Sequence, residues 1–326
     1  MRSVALLLPG QGAQRAGMAA ALYGRDEVFT ASVDEVFDAL GRDGDDLRAD
    51  WLSDTPRLPV DHVLRSQPLL FAVNLGYARV ALSWGLRPSA LLGHSAGEVV
   101  AAVLAGVFPL REAAALMWRR MTRLAGAPAG GMLAVSASPD ALAPFLRADV
   151  VVGALNAPRQ TVLAGSAGPL REVAAALAAR DFTCNPVASL TPFHSPALAG
   201  FVDEDHAEFR DLAPRPPEVT IHSCYTGRVL GREQATDPAY WASHPVAPVL
   251  FWPALADLLA TGDHLLLEAG PGQGLTRLAR RHPAVRAGRS RVVPLSPAEP
   301  GDEVAALARA RAVVEAALSG GTEEEP

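Results

Sequence analysis

The sequence predicts an α/β fold: a mostly parallel sheet with helices on both faces, interrupted by a small α+β insertion. Three observations predict it. Short apolar runs alternate with longer Ala-rich amphipathic stretches over most of the 326 residues, the texture of strand–helix–strand units. Between about 130 and 190 this changes to four short strands with two helices between them. Strand ends run into the Gly-rich turns Pro9-Gly10-Gln11-Gly12, Gly93-His94-Ser95-Ala96-Gly97 and Gly270-Pro271-Gly272-Gln273-Gly274, the places where open parallel sheets bind ligands.

In chain order, residues 4–8 are a continuous apolar run stopped by Pro9-Gly10, which reads as a buried strand. Residues 27–40 read as a helix, and 67–84 as a long apolar-periodic helix ended by Gly85 and Pro88. Residues 90–93 form a second buried strand. Helices follow at 96–105, starting directly after Ser95, and at 109–124, closed by Gly126-Ala127-Pro128. The insertion carries strands at 132–135, 150–154, 161–164 and 183–187, with helices at 139–146 and 169–179. Two helices on a small, mostly antiparallel sheet make a compact unit. After Phe193-His194 the α/β texture returns: a helix at 196–211, a strand at 219–222, a helix at 249–260, a strand at 264–268, the third Gly-rich turn and a further helix. The expected organisation is a discontinuous large domain, 1–127 and 194–318, a small domain, 128–193, and a disordered tail, 319–326.

Composition narrows the function. With 49% hydrophobic and 20% charged residues the chain can build a full core, which excludes a mainly disordered protein. A formal net charge of −6 excludes non-specific nucleic-acid binding. All 29 basic residues are Arg, which removes Schiff-base lysine catalysis and a Walker-type phosphate lysine. Cys184 and Cys224 form neither a CxxC pair nor a zinc pattern, so no metal or disulfide framework is expected and a reducing cytoplasm fits. The opening apolar run is too short for a signal peptide, and none reaches the ~18 residues of a membrane span.

The turn Gly93-His94-Ser95-Ala96-Gly97 is a G-x-S-x-G match between a predicted strand and a predicted helix, the context this pattern requires. Serine is a poor nucleophile and needs an exposed, strained turn with a base nearby. Gly93 and Gly97 let such a turn be tight, and the helix start offers free N–H groups to developing negative charge. If the first strand is central, its loop lies beside Ser95, and the backbone N–H groups of Gln11 and Ala96 can bind an oxyanion together. The plain alternatives are an N-capping serine and an ordinary Gly-rich turn. The base is expected among eight histidines: His62, His94, His194, His206, His222, His244, His264 and His282. His94 is expected to pack the turn, and His62, His206 and His282 to be solvated. His194 lies in Thr191-Pro192-Phe193-His194-Ser195-Pro196, a Pro-stiffened loop at a domain junction, a suitable place for a base.

These motifs, with Ala13-Gln14 after the first turn, Glu98 after the second, and Glu268-Ala269 before the third, resemble the malonyl-CoA:acyl carrier protein transacylases and the acyltransferase domains of polyketide synthases, over about residues 4–295. The resemblance implies an α/β-hydrolase-like parallel-sheet core with an inserted small ferredoxin-like subdomain. It implies Ser95 as nucleophile, His194 as general base, and Gln11 and Ala96 as oxyanion donors. Arg120, 25 residues after Ser95, matches the arginine that binds the free carboxylate of malonate; a planar guanidinium suits it. Arg119 is then a surface charge. The family orients its histidine with a backbone carbonyl, a role that falls to His244 in Ser243-His244-Pro245-Val246. Phe193, directly before the histidine, is the form linked with malonyl, whereas Thr191-Pro192 and the small Ala96 leave room for a different acyl group.

The implied function is a free-standing, monomeric, cytoplasmic acyltransferase of polyketide or fatty-acid biosynthesis. It moves malonyl from CoA through an acyl-serine to the phosphopantetheine thiol of an acyl carrier protein, with no bound cofactor or metal and no nucleic-acid or membrane partner. The cluster Arg277, Arg280, Arg281, Arg286, Arg289 and Arg291 is a candidate docking surface for an acidic carrier protein. The alternatives are transfer of a larger acyl group between carrier proteins, and a hydrolase with chain order Ser, acid, His, for which Asp257 or Asp263 with His264 are available. A non-catalytic carrier-docking module is the third class.

Overall fold

The computed structural model describes residues 2–299 and 301–319. The expected tail lies outside these residues except for Ser319, which ends the last helix.

The large sheet has six strands: β1 (Ser3–Leu8), β2 (Ala90–Gly93), β7 (Thr220–Ser223), β8 (Arg228–Val229), β9 (His264–Glu268) and β10 (Arg291–Pro294). Their order is β10-β9-β1-β2-β7-β8, and every pair is parallel except β7–β8. The central strands are apolar without alternation because helices cover both faces: Leu6, Leu7, Leu8, Leu91, Leu92, Leu265 and Leu266 are all buried. The helices around it are α1 (Glu27–Leu40), α2 (Arg42–Leu52), α3 (Val63–Ser83), α4 (Gly97–Leu104) and α5 (Leu110–Leu124) in the first half.

The second sheet belongs to the insertion. Strands β3 (Gly130–Val135), β4 (Val150–Ala157), β5 (Gln160–Ser166) and β6 (Cys184–Pro186) are antiparallel in the order β4-β5-β3-β6. With α6 (Pro139–Leu142) after β3 and α7 (Ala167–Ala178) after β5, this is the βαββαβ arrangement of a ferredoxin-like unit. It has a small core of its own that includes Leu133, Leu142, Leu163 and Leu177. The second half adds α8 (Val202–Asp211), α9 (Arg232–Ala235), α10 (Pro238–Ala242), α11 (Phe251–Ala260), α12 (Gly274–Ala279), α13 (Pro283–Arg286) and α14 (Glu303–Ser319).

Several elements differ from expectation for local reasons. Helix α3 starts at Val63, four residues early, because His62 accepts from the Leu64 N–H at 3.3 Å and caps it. The helix expected at 139–146 stops at Leu142 and continues as a 3-10 turn, Ala143–Phe145; Pro144 has no N–H with which to extend it. The one expected at 196–211 is a 3-10 segment, Pro196–Phe201, followed by α8. The one expected from 249 begins at Phe251 because Val249 is drawn into a bridge to the insertion: Val249 N–H donates to Gly153 at 2.8 Å, and Leu155 N–H donates to Val249 at 2.7 Å. That bridge ties β4 to the large unit.

Pairing of β1 with β2 sets Leu8 opposite Gly93, so the two loops leaving these strands emerge side by side. Their approach requires glycine. A Cβ on Gly10 would overlap the His94 carbonyl, and one on Gly97 would overlap the Leu8 carbonyl. Gly97→Ala is therefore expected to destabilise the protein by about 1–3 kcal/mol, the range for overpacking. Urea unfolding measures this; a midpoint equal to the parent's would contradict the close approach.

Candidate active site

Ser95 leaves β2 with φ +53°, the left-handed region that non-glycine residues occupy only when their surroundings force it. Its N–H points to Cys224 Sγ at 3.3 Å, and α4 starts two residues later. His194 has the same kind of backbone, with φ +61°. The two strained residues meet: Ser95 Oγ lies 2.7 Å from His194 Nε2. On the other side of the imidazole, Nδ1 faces two carbonyls, Ala247 at 2.9 Å and His244 at 3.2 Å. A carbonyl can only accept, so Nδ1 carries the proton and Nε2 presents its lone pair to the serine hydroxyl. Burial pushes the His194 pKa down to about 4, although the two carbonyls pull it upward. The ring is thus a neutral base at neutral pH. The expected carbonyl of His244 is present, but Ala247 supplies the shorter contact.

The Gln11 loop sits against this turn through Gly10. The Gln11 amide accepts from Gln67 Nε2 at 2.7 Å and donates to Ala188 O at 3.0 Å, and Asn74 Nδ2 holds the Pro9 carbonyl at 2.7 Å. Neither the Gln11 N–H nor the Ala96 N–H takes part in a hydrogen bond among the described residues. Both are therefore available for an oxyanion.

Beside Ser95 and His194 lies a cavity of about 50 Å³, lined also by Ala96, Arg120, Phe193 and Tyr225. Arg120 is buried, and its Nε donates to the buried Asp205 at 2.6 Å. Its two Nη groups make no hydrogen bond among the described residues, so a guanidinium with open donors faces a cavity that holds a nucleophile and a base. Asp205 also receives Arg123 at 2.7 Å, and Arg119 is a half-exposed partner of Glu208 at 2.9 Å.

Under the Ser95 turn runs a buried polar chain with no counterpart in the sequence-based site. Glu98 accepts from the Cys224 N–H at 2.7 Å and from the Tyr240 hydroxyl, which also meets Ser223 Oγ at 2.6 Å. Burial raises the pKa of Glu98 despite these donors. Cys224 and Tyr225 directly follow β7, the strand beside β2, so the strand-end rule could have found them.

The remaining candidates are elsewhere. His94 packs the turn as expected, its ring against Phe251 and its Nε2 2.8 Å from Asn156. His62 and His282 are not simply solvated: each caps a helix, and His282 also lies against Trp252. His206 is half-buried. The hydrolase order is not assembled at Ser95. Asp257 pairs with His222 at 2.8 Å, and His264 contacts Ser3 and Thr261. Among the described residues no cluster of three or more His, Cys, Asp or Glu could hold a metal ion, and no helix is long and apolar enough to cross a membrane.

Outside the Gln11 loop a cleft of about 580 Å³ opens between the two units, lined by Gln11, His94 and Asn156 and by the side chains of Arg15, Arg277 and Arg281. All six arginines of the 277–291 cluster are exposed.

Comparison with known proteins agrees with this geometry. A profile of the acyl transferase domain family matches residues 6–317. A component of the phenolphthiocerol/phthiocerol polyketide synthase of Mycobacterium tuberculosis is 35% identical over 283 residues, 86% of this chain. The chain spans 19% of that relative's length. The acyl transferase domain of SpnD, solved in complex with 2-(pent-4-yn-1-yl)malonyl, superposes with a TM-score of 0.89 at 30% identity, covering 97% of this chain and 78% of that one. The malonyl CoA-acyl carrier protein transacylase of Coxiella burnetii shares the fold, with a TM-score of 0.82 at 21% identity and 96% of each chain covered.

A base with a depressed pKa has a plain signature. Labelling of Ser95 by a fluorophosphonate needs neutral His194, so its rate is expected to stay level from about pH 8 to about pH 5 and to fall only as pH approaches 4. An inflection near the ordinary value of 6.5 would contradict the burial. His194→Ala should slow the labelling by about 10²–10⁴-fold.

Proposed function

The chain belongs to the acyl transferase domain family, and on that premise we propose that it moves a malonyl group from coenzyme A to the phosphopantetheine thiol of an acyl carrier protein. The observation that carries this reading is Arg120: a buried guanidinium with open Nη donors in the same small cavity as Ser95 and His194. A carboxylate matches it with two parallel hydrogen bonds. A neutral acyl group would leave those donors buried and unpaired, which costs more than the hydrogen bonds gain.

The reaction runs by ping-pong. Ser95 Oγ attacks the thioester carbonyl carbon while its proton passes to His194 Nε2. The carbonyl oxygen, now negative, is held by the N–H groups of Gln11 and Ala96; a donor of this kind is worth about 2.7–4 kcal/mol in the transition state. The C–S bond breaks, the CoA thiolate takes the proton from His194, and malonyl-Ser95 remains. The phosphopantetheine thiol then enters, gives its proton to His194, and attacks the ester by the same path in reverse. Arg120 keeps the carboxylate in place throughout. Phe193 closes the cavity beside the α-carbon. His244 and Ala247 keep the imidazole in one tautomer through their carbonyls.

The cleft outside the Gln11 loop suits the phosphate-bearing arm of either substrate, with Arg15, Arg277 and Arg281 along it. Arg277, Arg280 and Arg281 are exposed at its rim and in the adjoining helix, a surface that complements an acidic carrier protein. Every group of this chain assigned to the chemistry lies between Gln11 and Ala247. The two cysteines are free and one is buried, which fits a reducing, cytoplasmic setting.

Arg120→Ala separates carboxylate binding from general damage. It is expected to lower kcat/KM for Ser95 loading from malonyl-CoA by at least about 10²-fold, the loss of a charged hydrogen-bonded pair. Loading from acetyl-CoA should change far less. Equal losses for both donors would remove the carboxylate role.

A further inference from the structure

The malonyl cavity has a wall that neither the motifs nor the reaction accounts for. Tyr225 and His244 lie face to face, ring centroids 3.7 Å apart with planes 15° from parallel, and both line the cavity. Behind the stack Tyr240 meets His244 edge-on at 5.0 Å, and Trp241 contacts it at 5.2 Å. His244 is buried, and neither of its ring nitrogens has a hydrogen-bond partner among the described residues, so other rings hold its imidazole by shape. Burial and the Arg120 charge keep that ring neutral. Tyr225 is anchored through its N–H to Ser223 Oγ at 2.9 Å. Its ring also lies near the base, 6.1 Å from the His194 ring.

We infer that the stacked Tyr225–His244 pair is the selectivity wall of this site and confines it to a malonyl group with no substituent on its α-carbon. This deepens the malonyl reading above and rests on it. Size supports it first. The cavity beside the nucleophile is small, about 50 Å³, and both rings of the stack form part of its lining. Ala96, the small residue after the nucleophile, and Tyr225 line the same cavity.

Coupling to the base supports it second. The residue whose ring backs Tyr225 is also one whose carbonyl orients His194, at 3.2 Å. A branched acyl group that pushes Tyr225 back pushes on His244, and so on the contact that fixes the imidazole. Discrimination is therefore expected in the loading rate at saturation, kcat, more than in KM. A single methyl group in a packed pocket accounts for about 10- to 200-fold.

The test measures Ser95 loading by intact mass in rapid-mixing experiments, with malonyl-, methylmalonyl- and ethylmalonyl-CoA as donors. Tyr225→Val is expected to raise the ethylmalonyl-to-malonyl ratio at least tenfold, chiefly through kcat. Tyr225→Phe keeps the ring and should stay within about twofold of the parent ratio. His244→Asn removes the backing ring but keeps a backbone carbonyl, and should fall between the two. An unchanged ratio in folded Tyr225→Val that still loads malonyl overturns the wall. If that variant does not fold, an unchanged ratio in His244→Asn overturns it instead. A parent protein that takes no malonyl at all fails differently: it removes the malonyl reading and this inference together.

Discussion

The contact between Ser95 Oγ and His194 Nε2, 2.7 Å across 99 residues of sequence, is what the rest of the structure serves. Neither residue reaches it with a relaxed backbone, since both have positive φ, a conformation that costs of order 1–3 kcal/mol each. The fold over-determines them. Parallel pairing of β1 and β2 sets the Ser95 turn next to the Gln11 loop, and glycines at 10 and 97 let the backbones touch. On the histidine side, the His194 N–H donates to Pro245 at 2.6 Å, and the 244–247 segment turns two carbonyls toward Nδ1.

This arrangement dispenses with a carboxylate behind the base. A carbonyl fixes the tautomer as well as an aspartate would, but it gives less stabilisation to an imidazolium. The carboxylates near the site have other duties. Asp205 holds Arg120 through Nε and leaves its outer nitrogens free, while Glu98 ties the Ser95 turn to β7 through the Cys224 N–H. In both cases a buried acid positions backbone or a cation rather than joining the chemistry.

Much of this was legible in the sequence because the signals are local. Continuous apolar runs bounded by glycine mark β1, β2 and β9, and the G-x-S-x-G turn needs only five residues. The βαββαβ order of the insertion is likewise a matter of element sequence. What was not legible depends on neighbours distant in the chain. Helix α2 is polar, with Arg42 and acidic residues at 43, 45 and 46, so its periodicity is weak, yet it buries Trp51 and Leu47. The two-residue β8 carries no pattern of its own. The start of α11 was displaced by a bridge from Val249 to the insertion that no local rule reports. At the site, Ala247 acts through a backbone carbonyl, which leaves no side-chain signature, and Tyr225 gains its meaning only from stacking on His244.

In the proposed reaction one buried Ser–His pair both accepts a carboxylated acyl group and hands it on. The most direct measurement follows a single malonyl group by intact mass. The protein is loaded from malonyl-CoA, freed of excess donor, and then mixed with a phosphopantetheinylated acyl carrier protein. A malonyl adduct on Ser95, absent from Ser95→Ala, is expected to disappear from the chain as the same mass appears on the carrier. An adduct that is released as free malonate with the carrier left unmodified, or label that persists in Ser95→Ala, would contradict that reaction.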